Sequence, residues 1–492
     1  MGMNKIRHLV VLMLENRSFD NIAGYLYAAD NNRPPINIPP QPAGSPTTYE
    51  GLVEKGADFW NPGNQEFFTA QAAPKQIPVG TGITDFTTPN PDPEEHFNHM
   101  TYQLFGSYQP PSSSNPGQMK GFYLDYANKS KKPEDILKCY SPDQVPVISG
   151  LARNYAICDR WFASSPTQTW PNRAFAHLGT ALGKVNNWPN DPFHYNINTI
   201  FNVLDGLTAP WDQRVTWGIF TDSPLLWFTR LQLPKLWNPA LNGHFQGFDA
   251  FKRRAAEGSL PTYSFVEPDF IHNPNDEHPP HDIRLGEQFI YEVWKAVSSG
   301  KGWNESLLLI TYDEHGGCYD HVAPPFGAVP PDDASRHGEL GFGFDRFGVR
   351  VPAVAVSPYI EPGTVFRSTT QVPLDHTSIL ATLRDWLQIP ASVMLPSARI
   401  KAAPTFSNIL TLSEPRSDHP HIEPRQDAAA AVSPQASAEP NDLQKSIAMA
   451  LECKRLGRSL AMPEIHEVLS KIPTREHLVD LFRQGISGLV GG

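Results

Sequence analysis

Acidic, amide and histidine side chains follow two apolar runs of this 492-residue sequence, and they are the first candidates for chemistry. Residues 9–14 form an unbroken apolar stretch, typical of a strand buried on both faces, and Glu15 and Asn16 come directly after it. Ligands of open α/β sheets bind beyond the carboxyl ends of the strands, which makes this a candidate site. The spacing alone is equally consistent with a solvated strand end and a following helix capped by Ser18 or Asp20.

The second apolar run, residues 306–312, ends in the strongest motif of the chain. Asp313, Glu314 and His315 follow the run and precede two glycines. Adjacent carboxylates point to opposite sides of an extended backbone, so both can bind one ion only if the strand has already turned. The glycines permit such a turn, and the sequence therefore predicts a polar site at the end of this strand.

Hydroxyl residues occupy a third position of this kind. Residues 156–163 have the composition of a strand and lead into a segment that contains Thr167 and Thr169, after which the pattern predicts a helix over residues 172–182. A hydroxyl at a helix N-terminus is well placed to attack phosphorus, because that end of the helix favours anionic charge. The pattern alone favours a simpler role, in which Thr167 or Thr169 caps the helix.

Histidines gather in two segments. His272, His278 and His281 fall within ten residues of a loop that is dense in carboxylates, which exceeds what a surface usually supplies by chance. His96 and His99 are three residues apart at the start of a predicted short helix and would share one of its faces. Taken alone, this second pair is more simply interpreted as surface histidines.

Other patterns place these residues in an α/β fold. Residues 351–356 are predicted to form a third parallel strand, and apolar residues at helical spacing predict helices over residues 283–298 and 379–387. Asp375 precedes the second of these helices and is interpreted as its cap. Residues 31–86 are rich in Pro, Gly, Asn and Thr, which predicts a long ordered loop insertion.

The C-terminal part differs in composition from the rest. Residues 426–441 are rich in Ala, Pro, Ser and Gln and are predicted to be a linker. Residues 443–456 and 474–484 have the pattern of terminal helices that dock on the core or serve a partner. We therefore predict a catalytic domain over residues 1–425 and a helical extension over residues 442–492.

Composition excludes several classes of protein. A formal net charge of -11 and a pI near 5.9 argue against a nucleic-acid binder. No stretch approaches the roughly 20 apolar residues of a membrane span, and Lys5 and Arg7 before a short apolar run only imitate a secretory signal. We expect a cytoplasmic protein or one exported by a signal-free route. The four cysteines lack paired spacing and predict buried free thiols, with a Cys139–Cys158 disulfide as the alternative.

Five motifs in a shared order resemble the bacterial phosphoesterase family of non-haemolytic phospholipases C and certain acid phosphatases, within the alkaline phosphatase superfamily. They are Glu-Asn-Arg-Ser-Phe-Asp at 15–20, Asp-Pro with a nearby His at 92–96, Thr-Trp-Pro-Asn-Arg at 169–173, Asn-Asp-Glu-His-Pro-Pro at 275–280, and Asp-Glu-His-Gly-Gly at 313–317 with Tyr-Asp-His behind it. The resemblance implies an α/β fold: an alkaline-phosphatase-like three-layer sandwich with a mainly parallel central sheet, long loop insertions and a C-terminal helical extension.

The resemblance also implies roles for particular residues. Its metal site maps onto Glu15, Asn16, Asp313 and Glu314, and its nucleophile beside the ion maps onto Thr169. Histidines surround the phosphoryl group in the family, and the matching positions are His278, His96, His376 and His315. The acidic spacing within residues 92–96 departs from the family pattern and leaves His99 as the alternative to His96. Asp320 and His321 lie in a related segment, for which a structural role is the alternative.

Together these features predict a metal-dependent phosphoric ester hydrolase that acts through a phosphothreonine intermediate. Oxygen ligands suit one hard divalent ion and do not decide among Ca, Mg, Mn, Fe and Zn. Phospholipase C cleavage of a phospholipid headgroup, with transient contact to a membrane surface, is placed ahead of acid phosphatase activity. A sulfatase is disfavoured because no Cys-x-Pro-x-Arg segment is present. The alternative of another class is a metal-stabilised binding or toxin scaffold without turnover.

Overall fold

The computed structural model describes most of the chain and gives thirteen strands within the part it describes. The described residues are 2–33, 36–37, 46–53, 59–69, 71, 73, 75–109, 117–187, 191–431 and 436–489. The strands are β1 (His8–Leu14), β2 (Ile36–Asn37), β3 (Trp60–Pro62), β4 (Gln76–Pro78), β5 (Ala156–Cys158), β6 (Trp161–Phe162), β7 (Trp217–Thr221), β8 (Phe245–Gly247), β9 (Tyr263–Glu267), β10 (Ser306–Tyr312), β11 (Ala353–Val356), β12 (Thr364–Phe366) and β13 (Leu374–Asp375).

Fifteen α-helices accompany the strands over the same described residues. They are α1 (Phe19–Ala23), α2 (Phe97–Phe105), α3 (Phe122–Tyr126), α4 (Pro146–Asn154), α5 (Thr169–Leu178), α6 (Ile200–Leu204), α7 (Phe228–Gln232), α8 (Phe248–Glu257), α9 (Ile283–Ser298), α10 (Asp333–Arg336), α11 (Thr377–Trp386), α12 (Ala398–Ala402), α13 (Asp442–Leu456), α14 (Met462–Ser470) and α15 (Arg475–Leu489). Among these helices, none is long and apolar enough to cross a membrane.

The two apolar runs lie side by side at the centre of a nine-stranded sheet. Its strand order is β2-β12-β5-β11-β10-β1-β9-β7-β8. β1 pairs in parallel with β10 along its whole length and with β9 on the other side. Every residue of β10, and every residue of β1 after His8, is buried, as expected for strands covered on both faces. The carboxyl ends of β1 and β10 therefore meet at one edge of the sheet.

Helices cover both faces of this sheet, so the expected three-layer fold with a mainly parallel sheet is confirmed. Phe220 of β7 packs on Phe251 of α8, with ring centroids 5.3 Å apart. Trp217 of the same strand points to the opposite face, because side chains alternate along a strand, and its ring lies 5.1 Å from that of Phe201 in α6. Six of the eight pairings within the sheet are parallel.

The prediction of a third parallel strand over residues 351–356 was wrong. β11 is antiparallel to both of its neighbours, β10 and β5. A parallel connection needs a crossover, usually a helix, that returns the chain to the starting edge of the sheet. Between β10 and β11 the only described α-helix is the four-residue α10, so the chain re-enters the sheet from the edge at which β10 ends.

The other structural predictions have mixed outcomes. Helix α9 has the predicted bounds, and the four cysteines are buried free thiols, so the disulfide alternative was wrong. The predicted insertion over residues 31–86 and linker over residues 426–441 fall partly outside the described residues, and the domain boundaries stay a prediction. The expected C-terminal helices are present as α13 and α15, whereas α14 was not predicted.

Candidate functional site

The end of β1 turns sharply and buries two polar side chains at the edge of the sheet. Asn16 has a φ of 57°, in the left-handed region that ordinary residues seldom adopt. Its backbone N–H donates to Asp313 Oδ1 at 3.0 Å, which ties the end of β1 to the end of β10. Glu15 and Asn16 are both fully buried. Ser18 caps α1 by accepting a hydrogen bond from Asn21 N, so the predicted cap and the predicted site coexist.

The end of β10 supplies two more buried carboxylates. Glu314 Oε2 accepts a hydrogen bond from Gly316 N at 2.8 Å. Asp313 Oδ2 and Glu314 Oε1 are buried without a hydrogen-bond partner among the described residues. Gly316 has a φ of 58°, and a Cβ at this position would lie 2.3 Å from Asn16 O. The predicted glycine turn is therefore required for the two strand ends to approach each other.

Thr169 lies at the first position of α5, directly beside the end of β1. Its Oγ1 is 3.2 Å from Glu15 Oε2 and 3.4 Å from Asn16 Oδ1. Gln168, and neither Thr167 nor Thr169, occupies the N-cap position, so the capping interpretation of both threonines was wrong. The Thr169 hydroxyl points at the candidate site from a helix N-terminus, which favours negative charge there.

Arg173 binds Glu15 from one turn further along α5. Its Nε donates to Glu15 Oε1 at 2.7 Å, and its Nη2 donates to Met13 O at 3.0 Å. Both side chains of this ion pair are completely buried. Burial raises the pKa of Glu15 well above its ordinary value, and Arg173 opposes that rise. Thr169 and Arg173 are four residues apart, so one helix face presents a hydroxyl and a cation to the same carboxylate.

His278 reaches the same place from the loop after β9. Its Nε2 lies 3.0 Å from Asn16 Nδ2 and 3.7 Å from Glu95 Oε1, while Nδ1 donates to Pro279 O at 2.7 Å. Burial alone would lower the pKa of His278, because it disfavours the charged ring. The negative charges of Asp92 and Glu95 have the larger combined effect and raise this pKa well above its ordinary value. Because Asn16 Nδ2 is a donor, Nε2 accepts here. A protonated ring requires the Asn16 amide to turn its oxygen toward it.

Glu95 is a site residue that sequence reasoning missed. Glu95 Oε2 accepts a hydrogen bond from Asn16 Nδ2. The other carboxylate oxygen, Oε1, has no hydrogen-bond partner in the described part of the chain. Burial and the neighbouring Glu314 raise its pKa to about 8. His96 has extended backbone angles and precedes α2, so its side chain points away from that of Glu95. The alternating direction of neighbouring side chains just before α2 was the sequence signal that could have favoured Glu95 over His96.

The remaining predicted histidines lie next to these residues. His376 Nε2 donates to Asp313 O at 2.5 Å and its Nδ1 accepts from Trp161 Nε1, so it holds the backbone at the end of β10. His315 is buried against Gln103 and Glu314, and burial lowers its pKa to about 4. The His96 side chain is 36% exposed and pairs with Glu94.

Two other predicted alternatives point elsewhere. His99 Nδ1 lies 2.7 Å from Asp125 Oδ1, away from the strand ends. Asp320 and His321 form a buried network with Asp20 and Arg350, in which Arg350 Nε donates to Asp320 Oδ1 and Nη2 donates to Asp20 Oδ1, each at 3.0 Å. Arg350 balances one of the two carboxylate charges, and Asp20, Asp320 and His321 also lie close enough together to share one ion, so the structural role considered for Asp320 and His321 stays a prediction.

The carboxylates at the strand ends are buried close to one another and are of the type that binds divalent cations. Glu15, Glu95, Asp313 and Glu314 are all buried around Asn16, and the last three carry oxygens without a hydrogen-bond partner among the described residues. Two groups of three acidic or histidine side chains lie close enough together to share one ion: Asp92, Glu95 and His278, and Asp20, Asp320 and His321. So many buried carboxylates are costly unless a cation balances them, and carboxylate and amide oxygens are the ligands that hard divalent ions prefer.

A cavity of about 690 Å³ opens next to the site. Asp92, Glu95, His96 and Lys129 line one side, and residues 438–442 of the C-terminal extension line another. Gln168, which precedes Thr169, donates from Nε2 to Asp442 Oδ2 at 2.9 Å. The extension therefore contacts the residue that precedes Thr169 and forms one wall of this cavity.

Comparison with known proteins gives related sequences over most of the chain. A family model described as "Phosphoesterase family" matches residues 6–390. Non-specific phospholipase C5 of Arabidopsis thaliana is 35% identical over 431 residues, covering 84% of this chain and 76% of that protein. Non-specific phospholipase C6 of the same plant is 31% identical, and the alignment covers 96% of this chain and 87% of that protein. Non-hemolytic phospholipase C of Burkholderia pseudomallei is 25% identical, and the alignment covers 80% of this chain and 56% of that protein.

Solved structures are more distant. A protein in the alkaline phosphatase superfamily from Vibrio parahaemolyticus has a TM-score of 0.32 at 9% identity, covering 71% of this chain and 83% of that one. The lipoteichoic acid synthase LtaP of Listeria monocytogenes has a TM-score of 0.30 at 11% identity, covering 70% and 86%.

Proposed function

Since the chain belongs to the phosphoesterase family and is a hydrolase of phosphoester bonds, we propose that it is a metal-dependent phospholipase C with Thr169 as its nucleophile. The observation that carries the proposal is the position of Thr169 Oγ1, 3.2 Å from Glu15 Oε2 and 3.4 Å from Asn16 Oδ1 at the N-terminus of α5. A hydroxyl held there has both a proton acceptor and a favourable dipole for attack on phosphorus.

Glu15, Asn16, Asp313 and Glu314 would hold the divalent ion, with Glu95 beside them. The unpartnered oxygens of Asp313, Glu314 and Glu95 support this assignment. When bound, the ion supplies Lewis-acid polarisation of a phosphoryl oxygen and lowers the pKa of a nearby hydroxyl. Which of Ca, Mg, Mn, Fe or Zn is used is a matter for metal analysis, because oxygen ligands suit several of them.

The chemistry of the side chains follows from these positions. Thr169 Oγ1 attacks phosphorus and gives its proton to the Glu15 carboxylate, while the bond from phosphorus to the alcohol oxygen of the lipid breaks. His278 protonates that leaving oxygen, a step that general acid catalysis accelerates by about 10² to 10⁴-fold. Water then attacks the phosphothreonine diester, with neutral His278 taking its proton. The bond from phosphorus to Thr169 Oγ1 breaks, Glu15 returns its proton to Oγ1, and the phosphorylated headgroup is released.

The preference for a phospholipid over a phosphomonoester rests on the relatives and on the cavity. Several relatives that align with three quarters or more of this chain are named phospholipases C. A space of about 690 Å³, lined by Asp92 and Glu95 next to His278, offers room for an organic headgroup, within the usual range of small-molecule sites. Transient contact with a membrane surface would bring the lipid to this opening. Acid phosphatase activity is the second candidate.

The test compares hydrolysis of p-nitrophenyl phosphorylcholine with that of p-nitrophenyl phosphate, using protein stripped of metal and then resupplied with single ions. Thr169→Ala is the test variant, and Thr370→Ala, at an exposed threonine, is the matched control. Metal-dependent cleavage of the diester that only Thr169→Ala abolishes supports the proposal. Preference for the monoester would favour the acid phosphatase, and metal binding without turnover of either substrate would favour the scaffold alternative.

A further inference from the structure

A second cavity, of about 600 Å³, lies between α7 and the C-terminal helices. Leu226, Trp227, Trp237 and Phe245 line it from the catalytic part of the chain, and Leu451 and Phe482 line it from α13 and α15. No residue that lines this cavity also lines the cavity beside Asp92 and Glu95. Its walls are mainly aromatic and aliphatic, and its volume is that of a small-molecule site.

Two cations project into this apolar space without an anionic partner. Arg230 and Lys454 both line the cavity, and neither forms an ion pair with any carboxylate among the described residues. Arg230 donates from Nε to Leu236 O at 3.2 Å and from Nη2 to Asn242 Oδ1 at 2.5 Å, and its guanidinium lies over the Phe245 ring. Lys454 Nζ lies 5.4 Å from the centre of the Trp237 ring.

Both cations lie in the partly buried wall of the same cavity. Burial, and then the charge of Arg230, lower the pKa of Lys454 to about 8. Burial also lowers the pKa of Arg230. Like charges that are both partly removed from water are unfavourable unless an anion lies between them. An anion carried by an apolar chain would satisfy the charges and the aromatic walls at once.

We propose that this cavity binds a single-chain anionic amphiphile, such as a fatty acid, with its anionic group between Arg230 and Lys454 and its alkyl chain against Trp227, Trp237, Leu451 and Phe482. The site is formed only when the C-terminal helices pack on α7, because Lys454, Leu451 and Phe482 belong to those helices. Occupancy would therefore also hold the extension in place. This proposal is independent of the reaction at Thr169.

Calorimetric titration of the full-length protein with sodium dodecanoate, kept below its micelle concentration, tests the proposal. We expect one site for dodecanoate and at least about tenfold weaker binding of dodecyltrimethylammonium and dodecyl maltoside, since hydrogen bonds to charged groups are the stronger ones. Acetate should not bind measurably, because it lacks the chain. Equal binding of the anionic, cationic and neutral amphiphiles would overturn the proposal, as would binding only to anionic vesicles.

The matched variants are Arg230→Gln/Lys454→Gln, which removes both cavity charges, and Lys252→Gln/Arg253→Gln, which removes two charges from the surface of α8. The first should weaken dodecanoate binding by about tenfold or more and the second should leave it unchanged. Photolabelling of the unaltered protein with a diazirine fatty acid locates the site without any variant. Labelled peptides should come from residues 224–245 and 451–482, and labelling elsewhere would overturn the proposal.

Discussion

Arg173→Met is expected to destabilise the protein strongly, because it leaves the Glu15 carboxylate buried without its cation. Both side chains have no exposed surface, and Arg173 also donates to Met13 O at 3.0 Å. Removing one partner of a buried ion pair typically costs about 3 to 5 kcal/mol. A chain of this size has an unfolding entropy of roughly 1 kcal/mol/K, so the expected fall in Tm is about 3 to 5 °C.

Urea unfolding and a thermal melt of metal-stripped protein measure the effect, with Glu15→Gln/Arg173→Met as the control. The double variant should be more stable than Arg173→Met alone, because an amide is less costly to bury than an unpaired carboxylate. The buried ion pair would not organise the end of β1 as argued if Arg173→Met lowered the free energy of unfolding by less than about 1 kcal/mol. The same conclusion would follow if the loss in the double variant equalled the sum of the losses in Glu15→Gln and Arg173→Met.

Three further predictions concern the site and its surroundings. Gly316→Ala should destabilise the protein by about 1 to 3 kcal/mol and lower activity, because its Cβ would lie 2.3 Å from Asn16 O, whereas Gly343→Ala, with open space around it, should be neutral in the same melts. His278→Gln should lower kcat by about 10² to 10⁴-fold for a diester with an alkyl leaving group and much less for p-nitrophenol, which needs no proton; equal losses would contradict a role as general acid. Burial lowers the pKa of His177 to about 3 in the folded protein, whereas the same side chain has a pKa of about 6.5 in the unfolded chain. As the pH falls below about 6.5, the unfolded chain therefore binds a proton that the folded protein does not. Stability should therefore fall by up to about 1.4 kcal/mol per pH unit between these values, and urea titrations of His177→Phe should show a shallower dependence.

The strands and the polar groups at their ends could be predicted from sequence because burial on both faces leaves a clear pattern. Residues 9–14 are apolar throughout and residues 306–312 are mainly apolar, and the structure places the two strands side by side in parallel. The direction of β11 could not be predicted this way, because a short apolar run is the same in either direction. The missing crossover helix between β10 and β11 was the available signal.

Candidate site residues came from motifs that coincide with a strand end. Asn16 N donates to Asp313 Oδ1, and Thr169 Oγ1 lies beside Glu15 and Asn16, while the roles that the resemblance implies for these residues stay a prediction. Glu95 could not be predicted in this way, because the resemblance at residues 92–96 rests on the neighbouring histidine. Arg173 is the last residue of the Thr-Trp-Pro-Asn-Arg motif. Its contact with Glu15 depends on the helical spacing that places it one turn from Thr169 on the same face of α5. Residue type alone does not reveal which neighbour points inward.

The measurement that tests the central claim most directly is acid quenching of the metal-loaded enzyme during turnover of p-nitrophenyl phosphorylcholine, followed by mass spectrometry of the peptide that contains Thr169. A covalent phosphorylcholine group on Thr169, formed and lost at rates compatible with turnover, is the predicted result. Full turnover with no modified peptide, together with retained activity of Thr169→Ala, would contradict the account.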